Sequence, residues 1–315
     1  MNPLERVPLG TTDVRVTRLG LGLAPLGGLY TPVADQQARD TVERAWDLGI
    51  RYFDVAPLYG NGLAERRCGP VLAAKPRDEF TLSTKVGRVL RPGGGDEQDI
   101  WAEATGVTPQ FDFSAAGVRT SYRESLERLG LDRADLLHLH DPDDHFEQAV
   151  TEALPALKSL NTGAISAGMN QAPMLADFVR TGELDCVLLA GRFTLLDQSG
   201  AEELLPLCAS RNVGVIAAGV FNSGLLADPR PGATFDYVPA PASLVDRALA
   251  IRRVCTRHGV PLRAAAIQFP FTHPAVTCVL VGARTPDEVT DAVAMAGLPI
   301  PAVLWKDLRG EGLIA

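Results

Sequence analysis

The chain has 315 residues, 46% hydrophobic and 22% charged, with a formal net charge of −8 and a pI near 5.2. That acidity argues against a nucleic-acid partner, whose binders present a basic patch or stripe, and no apolar run is long enough to span a bilayer. Five cysteines stand singly without a CxxC pair, and the leading MNPLERVPLG lacks a signal-like pattern, so the expected compartment is a reducing cytoplasm.

In chain order, VPLGTTDVRVTRLG (7–20) has the alternation and turn residues of a hairpin, placed before the first core strand to plug the floor of a barrel. Short β-rich runs then recur: RLGLGL (18–23), RYFDV (51–55), FTLSTK (80–85), DLLHLH (135–140), GAISAGM (163–169), DCVLLA (185–190), VGVIAA (213–218) and TCVLVG (277–282). Helical periods lie between them. Ala38, Val42, Ala45 and Trp46 share a face, and Val118, Tyr122, Leu126 and Leu129 repeat the pattern between Ser114, a predicted N-cap, and Gly130, a predicted stop. Ser243 to Gly259 behaves alike. Eight strands, each followed by a helix, predict an α/β fold: one (β/α)8 TIM barrel domain over 1–315 with an N-terminal β-hairpin. The stretch from Arg88 to Phe113, with its run Gly93, Gly94, Gly95, is unusually long for a loop and is expected to shape a site at the barrel mouth.

Catalytic groups of such barrels sit at the C-terminal ends of strands. Asp54 ends the second strand with Tyr59 in its loop, Lys85 ends the third and His140 the fourth. Adjacent strands let the four converge. A cation at Lys85 is expected to lower the pKa of Tyr59, Asp54 to pair with and orient Lys85, and His140 to hold a substrate oxygen. Taken singly, each has a bland reading as a loop cap, rim packing or a solvated charge; together the set reads as a site. His138 and His140 share one side of their strand, as metal ligands do in metal-dependent barrel hydrolases, and Asp141, Asp143 and Asp144 stand near. No second histidine pair appears at another strand end, so His138 is read as an interior or supporting residue and no metal is expected.

The order Asp54, Tyr59, Lys85, His140, in the contexts YFDVAPLYG, TLSTKVG and DLLHLHDP, resembles the aldo-keto reductases nearly end to end. The resemblance implies a nicotinamide cofactor bound without a Rossmann domain, hydride transfer with Tyr59 as acid or base, Asp54 and Lys85 as its support, and His140 orienting the substrate. GLGLAPLGG (20–28) does not supply GxGxxG in the register a Rossmann site needs. Where the family holds the carboxamide with Gly-Val-Ser-Asn, this chain reads SAGMNQ, which puts Met169 on the family's Asn and offers Asn170 or Gln171 for the task. The family's Gln and stacking Tyr fall on Leu189 and Ala218. GVFNSGLL (219–226), with Gly219, Val220, Phe221 and Asn222, matches the pyrophosphate strap. GARTPDE (282–288) matches the adenosine-side loop, where Gly282 and Glu288 replace the basic residues of NADP-preferring members and Arg284 remains. Glu288 would repel a 2′-phosphate whereas Arg284 could attract one; the expectation is NAD, with NADP as the alternative.

HLHDPDDH, AGMNQ and GVFNSGLL look like the sugar-oxidising branch of L-fucose, D-threo-aldose and L-galactose dehydrogenases, with pyridoxal 4-dehydrogenase as kin. In that branch Tyr59 as phenolate removes the C1 hydroxyl proton while C1 gives up hydride, leaving a lactone. Trp101, Phe111 and Phe113 are candidates to pack on the substrate. A general aldehyde or ketone reductase, a metal hydrolase and a non-catalytic cofactor-binding subunit are the other classes weighed.

Overall fold

The computed structural model describes residues 2–93, 100–103 and 105–315. Its barrel strands are β1 (Leu19–Gly22), β2 (Tyr52–Asp54), β3 (Thr81–Val86), β4 (Leu136–His140), β5 (Ala164–Met169), β6 (Cys186–Ala190), β7 (Gly214–Ala218) and β8 (Val276–Gly282). Every one falls on a β-rich run of the sequence. All eight pair in parallel and close in the order β6-β7-β8-β1-β2-β3-β4-β5, the (β/α)8 barrel the sequence predicts.

The two-residue period of a strand sorts side chains into two cores. Phe53, Leu82, Leu137, Ile165, Val187 and Val215 point outward into the large cluster shared with the helices. Tyr52, Leu136, Ala164, Cys186, Ile216 and Cys278 point inward and form the floor, together with Leu9, Val14 and Val16 of the hairpin Arg6–Pro8/Arg15–Thr17. The hairpin therefore plugs the barrel. Gly20 makes room for this layer: a Cβ there would stand 2.7 Å from both Tyr52 and Leu280 side-chain carbons.

Helix ends follow their sequence signals. The Ser114 hydroxyl accepts from the Gly117 N–H, and Gly130, at φ 65, closes the helix Ala115–Leu129. Asp35–Asp47 buries Ala38, Val42 and Ala45, and the period begun at Ser243 becomes Ala242–Arg257. The stretch after β3 differs from expectation. Arg88–Pro92 and Val107–Phe111 pair as an antiparallel ribbon, so the two ends of the stretch are strands rather than plain loop; Gly94 and Gly95 of its glycine run lie outside the described residues.

Tyr59 is placed by a backbone contact that two glycines permit. Gly60 has φ 57, and a Cβ on it would lie 2.2 Å from the Gly27 carbonyl oxygen, so the loops after β1 and β2 touch main chain to main chain. Gly60→Ala is expected to destabilise by roughly 1–3 kcal/mol or more through strain and clash, read as a lower urea midpoint. Gly310→Ala, at a helix end where nothing lies within 4 Å, is the control expected to stay within about 1 kcal/mol.

Candidate active site

Asp54 is the centre of a buried polar network at the barrel mouth. Its Oδ2 accepts from Lys85 Nζ at 2.6 Å and its Oδ1 from the Ser83 hydroxyl at 2.7 Å. Lys85 Nζ also donates to the Val55 carbonyl at 3.1 Å, and Tyr52 OH stands 3.0 Å from Ser83 Oγ. Strand geometry accounts for this set: Tyr52 and Asp54 are two apart on β2, as are Ser83 and Lys85 on β3 and His138 and His140 on β4, so all six face inward in successive layers. Side chains of Asp54 and Lys85 are 4% and 2% exposed, so the pair is held out of water.

Above the pair lie Tyr59 and His140, rings edge to face with centroids 5.9 Å apart, and Lys85 Nζ is 4.9 Å from the Tyr59 ring centre. The four residues expected to converge are thus brought together. Their protonation differs from expectation. Burial, then the charges of Asp54 and Asp141, push Tyr59 well above the ordinary phenol value, with Arg88 opposing. Lys85 is engaged by Asp54 and Val55, and desolvation prevails, so Tyr59 is a neutral phenol in the free protein. Burial, aided by Arg88 and Lys85, lowers His140 well below its usual value, so its imidazole is neutral at physiological pH. A phenol and a neutral imidazole in edge-to-face contact can together hydrogen-bond one substrate oxygen.

Three sets of residues stand around the Tyr59–His140 pair. Trp101 faces Tyr59 with ring centroids 6.1 Å apart. Its strand is held by Tyr30 N–H to Ile100 O at 2.8 Å and Ala102 N–H to Gly28 O at 2.9 Å, while Arg67 Nη2 meets Glu103 Oε2 at 3.0 Å. Asp141, at φ 46, turns its carboxylate back so that it lies 3.5 Å from His140 Nε2 and accepts from Arg88 at 2.9 Å. Tyr30 and Tyr237 approach to 6.5 Å between centroids. Arg88, Tyr30 and Tyr237 have no role from sequence, and Asp141 enters there only beside the metal reading; the one available signal is the position of Arg88 and Asp141 just past the ends of β3 and β4. Two candidate contacts move elsewhere. Phe113 is fully buried against the Gly87 backbone and stacks with Phe111, while Phe111 carries the Arg88 guanidinium at 4.2 Å and is 43% exposed. Both pack at the ribbon formed by Arg88–Pro92 and Val107–Phe111. Among the described residues no group of three or more His, Cys, Asp or Glu is placed to hold a metal ion.

Residues expected to hold a nicotinamide cofactor line up along the rim past β5, β7 and β8. Gly219, Asn222, Ser223 and Gly224 all have left-handed φ, the N–H groups of Asn222 and Gly224 close the turn on the Gly219 and Phe221 carbonyls, and Asn222 Oδ1 is buried without a partner. Val220 is buried and Phe221 half-buried within this turn. The Arg284 side chain donates to Thr31 Oγ1 at 3.0 Å, and Glu288 Oε2 accepts the Arg284 N–H at 2.7 Å beside exposed Gly282. These features fit a dinucleotide. Met169 does not: β5 alternation sends its side chain outward into the helical core, leaving Asn170 and Gln171 at the rim. Leu189 is likewise in that outer core, so β6 presents Ala190 to the mouth.

No single helix among the described residues is long and apolar enough to cross a membrane. The chain is 43% identical to the D-threo-aldose 1-dehydrogenase of a Pseudomonas species, over 95% of each chain, and 40% identical to pyridoxal 4-dehydrogenase of Microbacterium luteolum, over 99% of this chain and 98% of that one. A holo aldo-keto reductase from Bacillus halodurans superposes with a TM-score of 0.78 at 25% identity, covering 99% of this chain and 96% of the other. The profile of the Aldo/keto reductase family matches residues 18–310, and the chain belongs to that family of NAD(P)-dependent oxidoreductases.

Proposed function

We propose that the protein is an aldose 1-dehydrogenase of the cytoplasm, taking hydride from C1 of a cyclic sugar and leaving a lactone. The observation that carries this reading is the 43% identity, over 95% of both chains, to D-threo-aldose 1-dehydrogenase. A nicotinamide, when bound, supplies the hydride acceptor. The rest falls to this chain's residues. His140 Nε2 and Tyr59 OH converge on the C1 oxygen, Tyr59 takes its proton, and the Asp54–Lys85 pair steadies the phenolate side of that exchange. Trp101 offers an aromatic face to the apolar side of a sugar ring. The 40% identity to pyridoxal 4-dehydrogenase favours a second reading with the same chemistry, since pyridoxal also closes to a hemiacetal and would yield a lactone.

Initial rates of nicotinamide reduction with L-fucose, L-galactose, D-arabinose and pyridoxal test both readings; no turnover on any of them would overturn the assignment. Tyr59→Phe is expected to lower the rate roughly 10²–10⁴-fold with cofactor binding retained. Because burial and Asp54 raise Tyr59, the phenolate that oxidation needs becomes more abundant with pH. Oxidation should therefore accelerate toward alkaline pH, by up to about tenfold per unit while pH stays below the Tyr59 value, whereas carbonyl reduction, which uses the phenol, should stay level. For cofactor choice we propose NAD over NADP, on the repulsion of a 2′-phosphate by Glu288. Glu288→Gln should raise the NADP⁺/NAD⁺ ratio of kcat/KM about tenfold, equivalent to about 1.4 kcal/mol.

A further inference from the structure

One polar group beneath the site has no part in the chemistry described. His138 is completely buried on the inner face of β4, a layer below His140, and neither ring nitrogen has a partner. An imidazole left so would cost about 1–3 kcal/mol in unmade hydrogen bonds, a cost that an aliphatic side chain at the position would avoid. Its Nε2 points at Asp54 Oδ1 from 3.6 Å, just beyond bonding distance. Closing that gap takes about half an ångström, no more than ordinary side-chain displacement, and hydrogen bonds of a free active site commonly tighten when substrate binds.

We propose that His138 is a positioning residue for the reaction: its Nε2–H donates to Asp54 Oδ1 and, with the Ser83 hydroxyl, holds the carboxylate so that Lys85 stays aligned with Tyr59. The inference rests on Tyr59 being the proton-transfer residue. Ser83 already fills one side of Oδ1 at 2.7 Å and is itself met by Tyr52 OH at 3.0 Å, so the floor of the network is built and His138 supplies the remaining donor. Small neighbours leave the ring space: Ser166 lies in register beside His138 on β5, and a Cβ at Gly168 would come to 3.8 Å of the His138 Cβ.

The groups facing His138 define its charge. Lys85 lies in register beside it on β3, Asp54 is across on β2, and His140 is on its own strand. Burial first, and the Lys85 charge second, hold the ring neutral. A neutral imidazole carries one N–H, and the only charged acceptor within 4 Å of Nε2 among the described residues is the Asp54 carboxylate. Around Tyr59 stand Asp54, Asp141, Arg88, Lys85 and Tyr237. Of these, Asp54 is the one His138 reaches. Losing its donor leaves the Asp54 charge less neutralised, which raises Tyr59 further and moves oxidation to higher pH.

The test is the pH profile of kcat for L-fucose oxidation with NAD⁺ in wild type, His138→Leu, His138→Gln and Tyr59→Phe. His138→Leu should shift the profile alkaline by about one unit, a roughly tenfold lower rate at neutral pH, with KM changed less than about twofold. The amide N–H of His138→Gln should bring the profile back toward wild type. A His138→Leu profile that overlies wild type, or equal losses at every pH in both His138 variants, would overturn the inference and mark the residue as merely structural. Retained activity in Tyr59→Phe would instead overturn the reading on which it rests. Should L-fucose not turn over, or His138→Leu not fold, ¹⁵N NMR of the wild-type imidazole decides: an Nε2–H tautomer with a hydrogen-bonded proton supports the inference, and an Nδ1–H tautomer sinks it.

Discussion

The ion pair between Asp54 and Lys85 is the constraint on which the barrel mouth depends. Two charges that are 4% and 2% exposed lose most of their hydration, and their attraction offsets that loss only with further hydrogen bonds in good geometry. Those bonds come from Ser83 and the Val55 carbonyl, on or next to the two strands that carry the pair. Removing either partner would strand the other, at roughly 3–5 kcal/mol, so the pair ties the register of β2 against β3 to the integrity of the site. Pairing of Asp54 with Ser83 in the sheet register is what puts hydroxyl and carboxylate side by side.

Outside this polar plug the architecture follows from alternation alone. One residue in two on each strand points to the helices, and most of these are aliphatic or aromatic, Thr84 with its bond to Glu65 Oε1 being polar, while the inward set of β2 and β4 changes character with height, apolar at the hairpin-sealed floor and polar at the mouth. The barrel is therefore a solid column whose top layer is chemistry. Loops close it by main-chain contact where glycine permits, at Gly27 and Gly60, and by the Arg67–Glu103 ion pair, which fastens the Trp101 segment to the helix Leu63–Ala73. Arg67 also donates to the Leu26 carbonyl at 2.7 Å and Asp35 at 2.8 Å, so one side chain, 5% exposed, joins three segments of the rim.

How much of this was legible in the sequence depends on range. Strand positions, the hairpin and the Ser114 cap derive from local patterns, and the convergence of Asp54, Tyr59, Lys85 and His140 follows once those patterns are counted as successive strands of a barrel. What escaped involves contacts between units. The Arg88–Asp141 pair needs the ribbon to fold back over β4, and the inward or outward facing of Met169 and Leu189 depends on the phase of alternation, in which an error of one residue reverses the face. Phe111 and Phe113 read as substrate contacts if their segment is a loop; in the paired ribbon they stack on each other, with Arg88 over Phe111. The direction of the Tyr59 shift is not legible for a related reason: sequence suggests which charges are near, but not how completely water is excluded.

That exclusion governs the proposed chemistry. The same burial that raises the Tyr59 phenol lowers both histidines, so the free site presents neutral donors above a buried ion pair. A neutral phenol is ready to protonate a carbonyl, whereas oxidation of a hydroxyl requires that the proton first leave Tyr59 against the nearby Asp54 and Asp141 charges. Arg88 opposes that penalty, and it is also the residue that holds Asp141 beside His140. One guanidinium thus acts in two ways at once, offsetting part of a carboxylate's charge on Tyr59 while fixing where that carboxylate stands. Substitution at Arg88 would alter proton transfer and the shape of the mouth together. The acidity of Tyr59 and the geometry that receives the substrate are consequently not independent variables in this fold.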